Sequence, residues 1–108
     1  MELTEAHILR LQALLARGFA PISFPLFPAY IGVQKYGCAA LLRPVGQGSF
    51  EKAAQPGFLI EGNLSVLVER GREEWFVWKS QQVRATAERL RHLRRFEEEL
   101  ERWLTQPV

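Results

Sequence analysis

The sequence predicts an α+β domain with an N-terminal helix, a four- to five-stranded, mainly antiparallel sheet and a long C-terminal helix packed on the sheet. Helical patterns with an apolar face stand near both ends of the chain, and the region between them alternates short apolar runs with turn-forming residues. With 108 residues, 47% of them hydrophobic, the chain can build one core but not two. We therefore treat residues 1–108 as a single domain.

The first helix is predicted over residues 5–17. Thr4 is a favourable N-cap, and Gly18 can adopt the left-handed conformation that often follows a last helical turn. Leu9 lies off the predicted core side and is expected at the surface or in an interface. The residues on the predicted core side are Leu3, His7, Ile8, Leu11, Leu14 and Leu15.

The middle of the chain reads as an extended strap followed by strands. Three prolines exclude a helix over 19–28, so we expect a strap anchored to the core by Phe19, Phe24 and Phe27. Within the strand pattern over 58–70, Gly62 and Asn63 form either a hairpin turn or a bulge. The predicted segments after the strap are strands over 30–33 and 38–42, a turn-rich loop over 43–57, and strands over 58–70 and 75–79.

The second helix is predicted to reach Leu104. It could begin at Ser80 or Thr86, and Thr86 is favoured because Ala87 and Glu88 suit a first helical turn. The residues on its predicted apolar face are Leu90, Leu93, Phe96, Leu100, Trp103 and Leu104.

The residue inventory argues against most catalytic and metal chemistry. All twelve acidic residues are glutamate, so the short carboxylate of Ser-His-Asp triads, EF-hand loops and Asp-based magnesium sites is missing. One cysteine and two histidines are too few for a structural zinc site, which takes four ligands. We expect no metal and no cofactor, and the sequence favours a non-catalytic protein over an enzyme.

Two glycine spacings fall short of nucleotide-binding motifs. Gly32 and Gly37 have the spacing of a P-loop, but Cys38 follows where the motif needs lysine. Gly46 and Gly48 lack the third glycine and the helix of a dinucleotide fingerprint. We interpret all four as turn glycines.

The potential nucleophile and acid–base residues have structural interpretations. Cys38 begins a strand of small residues and is predicted to be buried and inert. His7 lies on the apolar side of the first helix, and His92 lies at the edge of the apolar face of the second. Both are predicted to be half-buried, hydrogen-bonded rings.

Composition also bears on location. The chain has no run of about 18 apolar residues, so we expect no membrane span, and its first ten residues predict a capped helix rather than a secretory signal. A lone cysteine is compatible with a reducing compartment, and we expect a cytoplasmic protein. The scarcity of Asp, Asn, Cys and Met is typical of heat-tolerant proteins, here expected to be bacterial.

Four arginines near the chain end suggest a possible polyanion surface. Arg84, Arg91, Arg95 and Arg102 are spaced 7, 4 and 7 residues apart, which places them on one side of a continuous helix. The net charge of only +2 is weak support for nucleic-acid binding. Three glutamates share this side, so a solvated salt-bridge ladder is the favoured interpretation. They are Glu88, Glu98 and Glu99.

An aromatic strand is the feature that a simple monomer explains least. Neighbouring residues of a strand point to opposite sides, so Trp75 and Val77 face one way while Phe76 and Trp78 face the other. If both helices cover one face of the sheet, large apolar side chains remain on the other, with Leu59 and Leu67 joining them in some registers. The candidate interaction surface consists of Trp75, Phe76, Trp78, Phe96, Leu100 and Trp103.

Three hypotheses for function follow from these patterns. The leading one is a self-associating interaction module, in the form of a homodimer, since apolar patches commonly mark partner surfaces. The alternatives are an accessory nucleic-acid binder that uses the arginines, and a small-molecule binder or enzyme with a pocket beside the loop 43–57. The aromatic strand has a competing explanation, which is that its side chains are simply buried in the core.

Overall fold

A computed structural model describes residues 3–107 as an α+β fold with a helix near each end and two antiparallel sheets between them. The predicted fold class is confirmed, although these residues form nine strands in two sheets instead of four or five in one. The elements in chain order are α1 Glu5–Ala16, β1 Ala20–Ile22, β2 Ile31–Lys35, β3 Cys38–Val45, β4 Ser49–Lys52, β5 Gly57–Ile60, β6 Asn63–Leu64, β7 Val66–Arg70, β8 Glu73–Trp78, β9 Gln81–Arg84 and α2 Ala87–Thr105.

The larger sheet has six strands arranged around β3. Its order is β1-β2-β3-β5-β6, and β4 pairs with the second half of β3. Gly32, predicted to lie in a turn, lies inside β2, where a Cβ atom would come within 2.2 Å of the Ile22 carbonyl oxygen. The absence of a side chain there lets β1 approach β2.

The prediction of a loop over 43–57 is partly wrong. Its first half is a hairpin, because β3 continues to Val45 and the chain returns as β4. In β4 only Phe50 is buried, while Ser49, Glu51 and Lys52 are exposed. A strand held by one apolar side chain carries too little alternation to be recognised among turn residues.

The smaller sheet is the meander β7-β8-β9. The strand predicted over 58–70 is divided into β5, β6 and β7. Glu61 and Gly62 both have positive φ, of 49° and 79°, and form the tight turn between β5 and β6. Ser65 separates β6 from β7, and its backbone N–H donates to the Phe58 carbonyl at 3.1 Å. This bond holds the start of the smaller sheet against β5.

Helix α1 begins as predicted and has a narrower buried side. The Thr4 hydroxyl accepts from the His7 N–H at 3.2 Å, and the Thr4 N–H donates to His7 Nδ1 at 3.1 Å. Only His7 and Leu14 of α1 are buried, whereas Ile8 and Leu15 are about half exposed, and the helix contacts α2, β4 and β1. Leu3, also predicted on the core side, is 37% exposed.

Helix α2 begins after Thr86, whose hydroxyl accepts from the Arg89 N–H at 3.2 Å, so the favoured start is confirmed. It ends at Thr105, one residue later than predicted. The apolar side chains of its predicted face lie against the sheets. The buried residues are Leu93, Phe96, Leu100 and Leu104, and Leu90 and Trp103 are half-buried.

Residues 38–42 of β3 are buried on both sides of the strand and separate two core clusters. Cys38, Ala40 and Leu42 belong to the main core with α1 and α2, whereas Ala39 and Leu41 belong to a smaller cluster with Phe24. The strap over 19–28 is anchored by Phe19, at 2% exposure, and Phe24, at 7%. Phe27 does not serve as an anchor, since it is 37% exposed. Between residues 3 and 107, neither helix is apolar over a length that could cross a membrane.

Candidate functional site

The smaller sheet has a buried inner side. Phe76 is fully buried and stacks on Phe58, with ring centroids 5.2 Å apart. Trp78 and Val83 pack against the main core on this same side. Leu67 lies opposite Phe76 in the register, and it therefore points to the inner side. The main core thus covers one side of β8.

The opposite side of the same sheet carries four apolar residues that we call the outer face: Val66, Val68, Trp75 and Val77. Val66 lies opposite Val77, and Val68 lies opposite Trp75, so the four side chains are cross-strand neighbours. They belong to neither core cluster. Val66 is 65% exposed, and the other three are half-buried. The predicted separation of Trp75 and Val77 from Phe76 and Trp78 agrees with this arrangement.

Polar side chains of both signs border the outer face. An Arg84 nitrogen lies 3.0 Å from a Glu73 carboxylate oxygen. Arg70 donates to the Gln82 side-chain oxygen at 2.6 Å, and because these residues lie on β7 and β9, the bond crosses β8 on the side of Trp75. The border of the outer face therefore carries both positive and negative groups.

Three of the six residues proposed from the sequence as an interaction surface lie in the core. Phe76, Phe96 and Leu100 have no exposed area, and Phe96 packs edge-on against Phe19 at 5.8 Å. In this conformation they cannot contact a partner. The sequence shows that these residues are apolar but does not show that β5 covers the inner side of β8 or that α2 packs on β3 and β5.

The other predicted surface residues separate into different places. Trp103 is half-buried near α1, with the Arg17 guanidinium 3.9 Å from its ring centre. Trp78 lies on the inner side of the smaller sheet. Only Trp75 remains on the outer face, and Val66 and Val68 join it through register instead of the expected Leu59 and Leu67. Leu59 packs against the smaller core cluster.

The predicted arginine stripe is interrupted. Arg84 lies on β9 and not on α2, so the spacing of the four arginines does not place them on one helix face. Arg95 donates to Glu99 at 2.9 Å and lies over the Tyr36 ring, so its charge is already partnered. Arg91 and Arg102 are exposed on α2. The remaining pair gives little support to a polyanion surface.

Cysteine and histidine have structural positions. Cys38 is fully buried, and burial together with the charge of Glu97 raises the pKa of its thiol to about 11. His7 is buried, lies edge-on to Phe50 and has Nε2 at 3.2 Å from the Val45 carbonyl oxygen. His92 is exposed, not half-buried as predicted. Across residues 3–107, no three side chains with metal-binding groups come together.

Apart from the outer face, the chain has a concave feature that we call the groove, which lies between the strap, the two sheets and α2. Its volume is about 600 Å³, and residues 53–56 form part of its wall, in the segment where the sequence placed a possible pocket. Most of its surface is apolar, and Glu97 is the one charged residue in its lining among those the structure describes. The groove and the outer face are two surfaces of the described chain that its core packing leaves without an explanation.

No protein-family model, curated protein or solved structure matches this chain.

Proposed function

We propose that the protein is a self-associating interaction module in which two copies form a dimer by packing their outer faces together. One observation carries this proposal: a tryptophan and three valines form a contiguous cluster that belongs to neither core cluster. Burial of apolar surface is the main favourable contribution to association. A second copy of the chain supplies an apolar surface of the same size.

The position of Trp75 supports this mode of association. It lies on the central strand, with Val68 on one side and Arg84 on the other. Tryptophan near the centre of an interface is often among the residues whose truncation costs about 2 kcal/mol or more. Trp75 would therefore contribute more to the dimer than the valines around it.

The charged border supports a second copy as the partner. A two-fold interface joins identical patches, so each patch must tolerate its own charges. The border contains Arg70 and Arg84 beside Glu73, which lets opposite charges meet across a two-fold axis. Two sheets packed in this way lie about 10 Å apart, a spacing that the outer-face side chains would fill.

The mass in solution tests the proposal. At micromolar concentration, light scattering should give about 25 kDa, twice the chain mass of 12.4 kDa. Trp75→Lys should yield a folded protein of single-chain mass, because it places a charge at the centre of the apolar contact. Val66→Lys is a second variant for the same purpose, since Val66 is 65% exposed in one copy and its replacement does not disturb the core.

Leu9→Lys is the matched control, because Leu9 is 48% exposed on α1 and lies outside the outer face. It should leave the dimer intact. A wild-type protein that stays at 12.4 kDa up to high concentration would contradict the proposal. So would a dimer that survives both outer-face variants.

A further inference from the structure

We further propose that the groove binds a small amphiphilic amine, with the apolar body of the ligand in the groove and its ammonium group on Glu97. The groove is bordered by the inner side of the smaller sheet, and Val66 of the outer face reaches its edge, so the two surfaces adjoin at that residue. A ligand inside the groove contacts its apolar walls and its one carboxylate and does not require a second copy of the chain.

The walls come from widely separated parts of the chain, including residues 53–56. Phe27 belongs to the strap, Leu64 and Leu67 to β6 and β7, Trp78 to β8 and Leu93 to α2. Small-molecule sites are typically concave, mostly apolar and roughly 300–1,000 Å³ in volume. The groove, with its volume of about 600 Å³, falls within this range and suits a ligand with one aromatic ring or a short aliphatic chain.

Part of this wall is apolar surface left in contact with water. Phe27 is 37% exposed and Leu67 is 40% exposed. Leu26, beside Phe27, is 62% exposed, which extends the apolar rim. Covering such surface is favourable, so an apolar ligand gains affinity from the rim as well as from the interior.

Glu97 is a half-buried carboxylate without an ion pair among the described residues, in contrast to Glu99 and Glu101 of the same helix. Glu99 bonds to Lys35 and Arg95, and Glu101 lies 3.4 Å from Lys52. Among residues 3–107, no basic nitrogen lies within 4 Å of the Glu97 carboxylate. Burial raises the pKa of the Cys38 thiol most, and the negative charge of Glu97 raises it further.

The charge of the groove selects the charge of its ligand. An ammonium group can donate hydrogen bonds to the Glu97 carboxylate, and such charge-assisted bonds are stronger than neutral ones. Apolar walls reduce the local dielectric constant, which strengthens the attraction for a cation and the repulsion of an anion. A neutral ligand of the same shape gains only the apolar contribution.

Three probes with one ring and different charge test this assignment. They are 2-phenylethylamine, 2-phenylethanol and phenylacetate, added to the wild-type protein and followed by the NMR signals of the three tryptophan indoles. The amine should shift the Trp78 signal and leave that of Trp103 unchanged, because only Trp78 lines the groove. The alcohol should bind about tenfold more weakly than the amine, and phenylacetate should not bind.

Glu97→Gln isolates the contribution of the carboxylate. It should weaken binding of the amine about tenfold and leave binding of the alcohol unchanged. Glu98→Gln is the matched control, because Glu98 is the next residue of α2 but is exposed and outside the groove. Equal affinity for amine and alcohol, no binding of the amine, or unchanged amine binding in Glu97→Gln would each overturn the proposal. The probe series on the wild-type protein gives this answer even if the variant is unstable.

Discussion

At the residue scale, Glu99 joins the β2–β3 hairpin to α2. Its carboxylate accepts hydrogen bonds from Lys35 Nζ at 2.7 Å, the Tyr36 hydroxyl at 2.7 Å and Arg95 Nε at 2.9 Å. Burial by itself would raise the pKa of Glu99, but these hydrogen bonds and the charge of Lys35 lower it from the ordinary 4.5 to about 2. The charged form of Glu99 therefore stabilises the folded chain.

The stability of the protein should depend on pH through this group. Because the pKa of Glu99 is lower in the folded chain, its contribution is present above pH 4.5 and is lost as the pH falls from about 4.5 towards about 2. Urea unfolding at several pH values should show this loss. In Glu99→Gln the free energy of unfolding should fall by about 2 kcal/mol at pH 7 and should lose much of this acid dependence.

Glu98→Gln is the control for the titration, since Glu98 is exposed on the same helix. It should keep the acid dependence of the wild-type protein. An identical loss of stability on acidification in wild type and Glu99→Gln would show that other carboxylates, and not Glu99, determine it.

Cys38 should be unreactive in the folded protein. Its thiol is fully buried, and burial together with the charge of Glu97 raises its pKa to about 11, so almost no thiolate exists at pH 8. A thiol reagent should therefore label Cys38 at the rate at which the chain unfolds, and promptly in denaturant. Prompt labelling in native buffer would contradict this burial.

At the element scale, the sequence predicts the helices better than the strands. Thr4 and Thr86 are capping residues next to long apolar patterns, and both helices begin after them. Short strands carry weaker signals. The division at Ser65 depends on a hydrogen bond to Phe58, seven residues away, and no local pattern indicates it.

Gly57 controls how the two sheets approach each other. A Cβ atom at this position would lie 2.2 Å from the Ser65 carbonyl oxygen and 3.3 Å from a Leu64 methyl group. Gly57→Ala should therefore force β5 away from the start of β7 and lower the free energy of unfolding by about 1–3 kcal/mol. Chemical denaturation measures this change.

Gly71→Asn is the control for that substitution. Gly71 has a φ of 65° with no atom within 4 Å of a Cβ there, and asparagine tolerates this conformation better than most residues. The free energy of unfolding should change by less than about 1 kcal/mol. If Gly57→Ala and Gly71→Asn have equal free energies of unfolding, the close contact at Gly57 relaxes easily, and the prediction is wrong.

At the scale of the whole molecule, the sequence predicts part of the candidate site. Alternation along 75–78 correctly separates Trp75 and Val77 from Phe76 and Trp78. It cannot show which side the core covers, because that depends on how the smaller sheet packs against β5 and the main core. For the same reason, the sequence does not predict the groove beyond a possible pocket beside the loop 43–57.

The most direct test of self-association through the outer face is a distance between two copies. Gln82 lies exposed beside the outer face, and because Cys38 is buried, Gln82→Cys provides a thiol that a spin label can modify selectively. Double electron–electron resonance should give a distance between labels within roughly 30 Å, since packed sheets lie about 10 Å apart. The account would be contradicted by the absence of any dipolar coupling between labels, including the line broadening that very close labels produce, or by a distance beyond the 46 Å length of a single molecule.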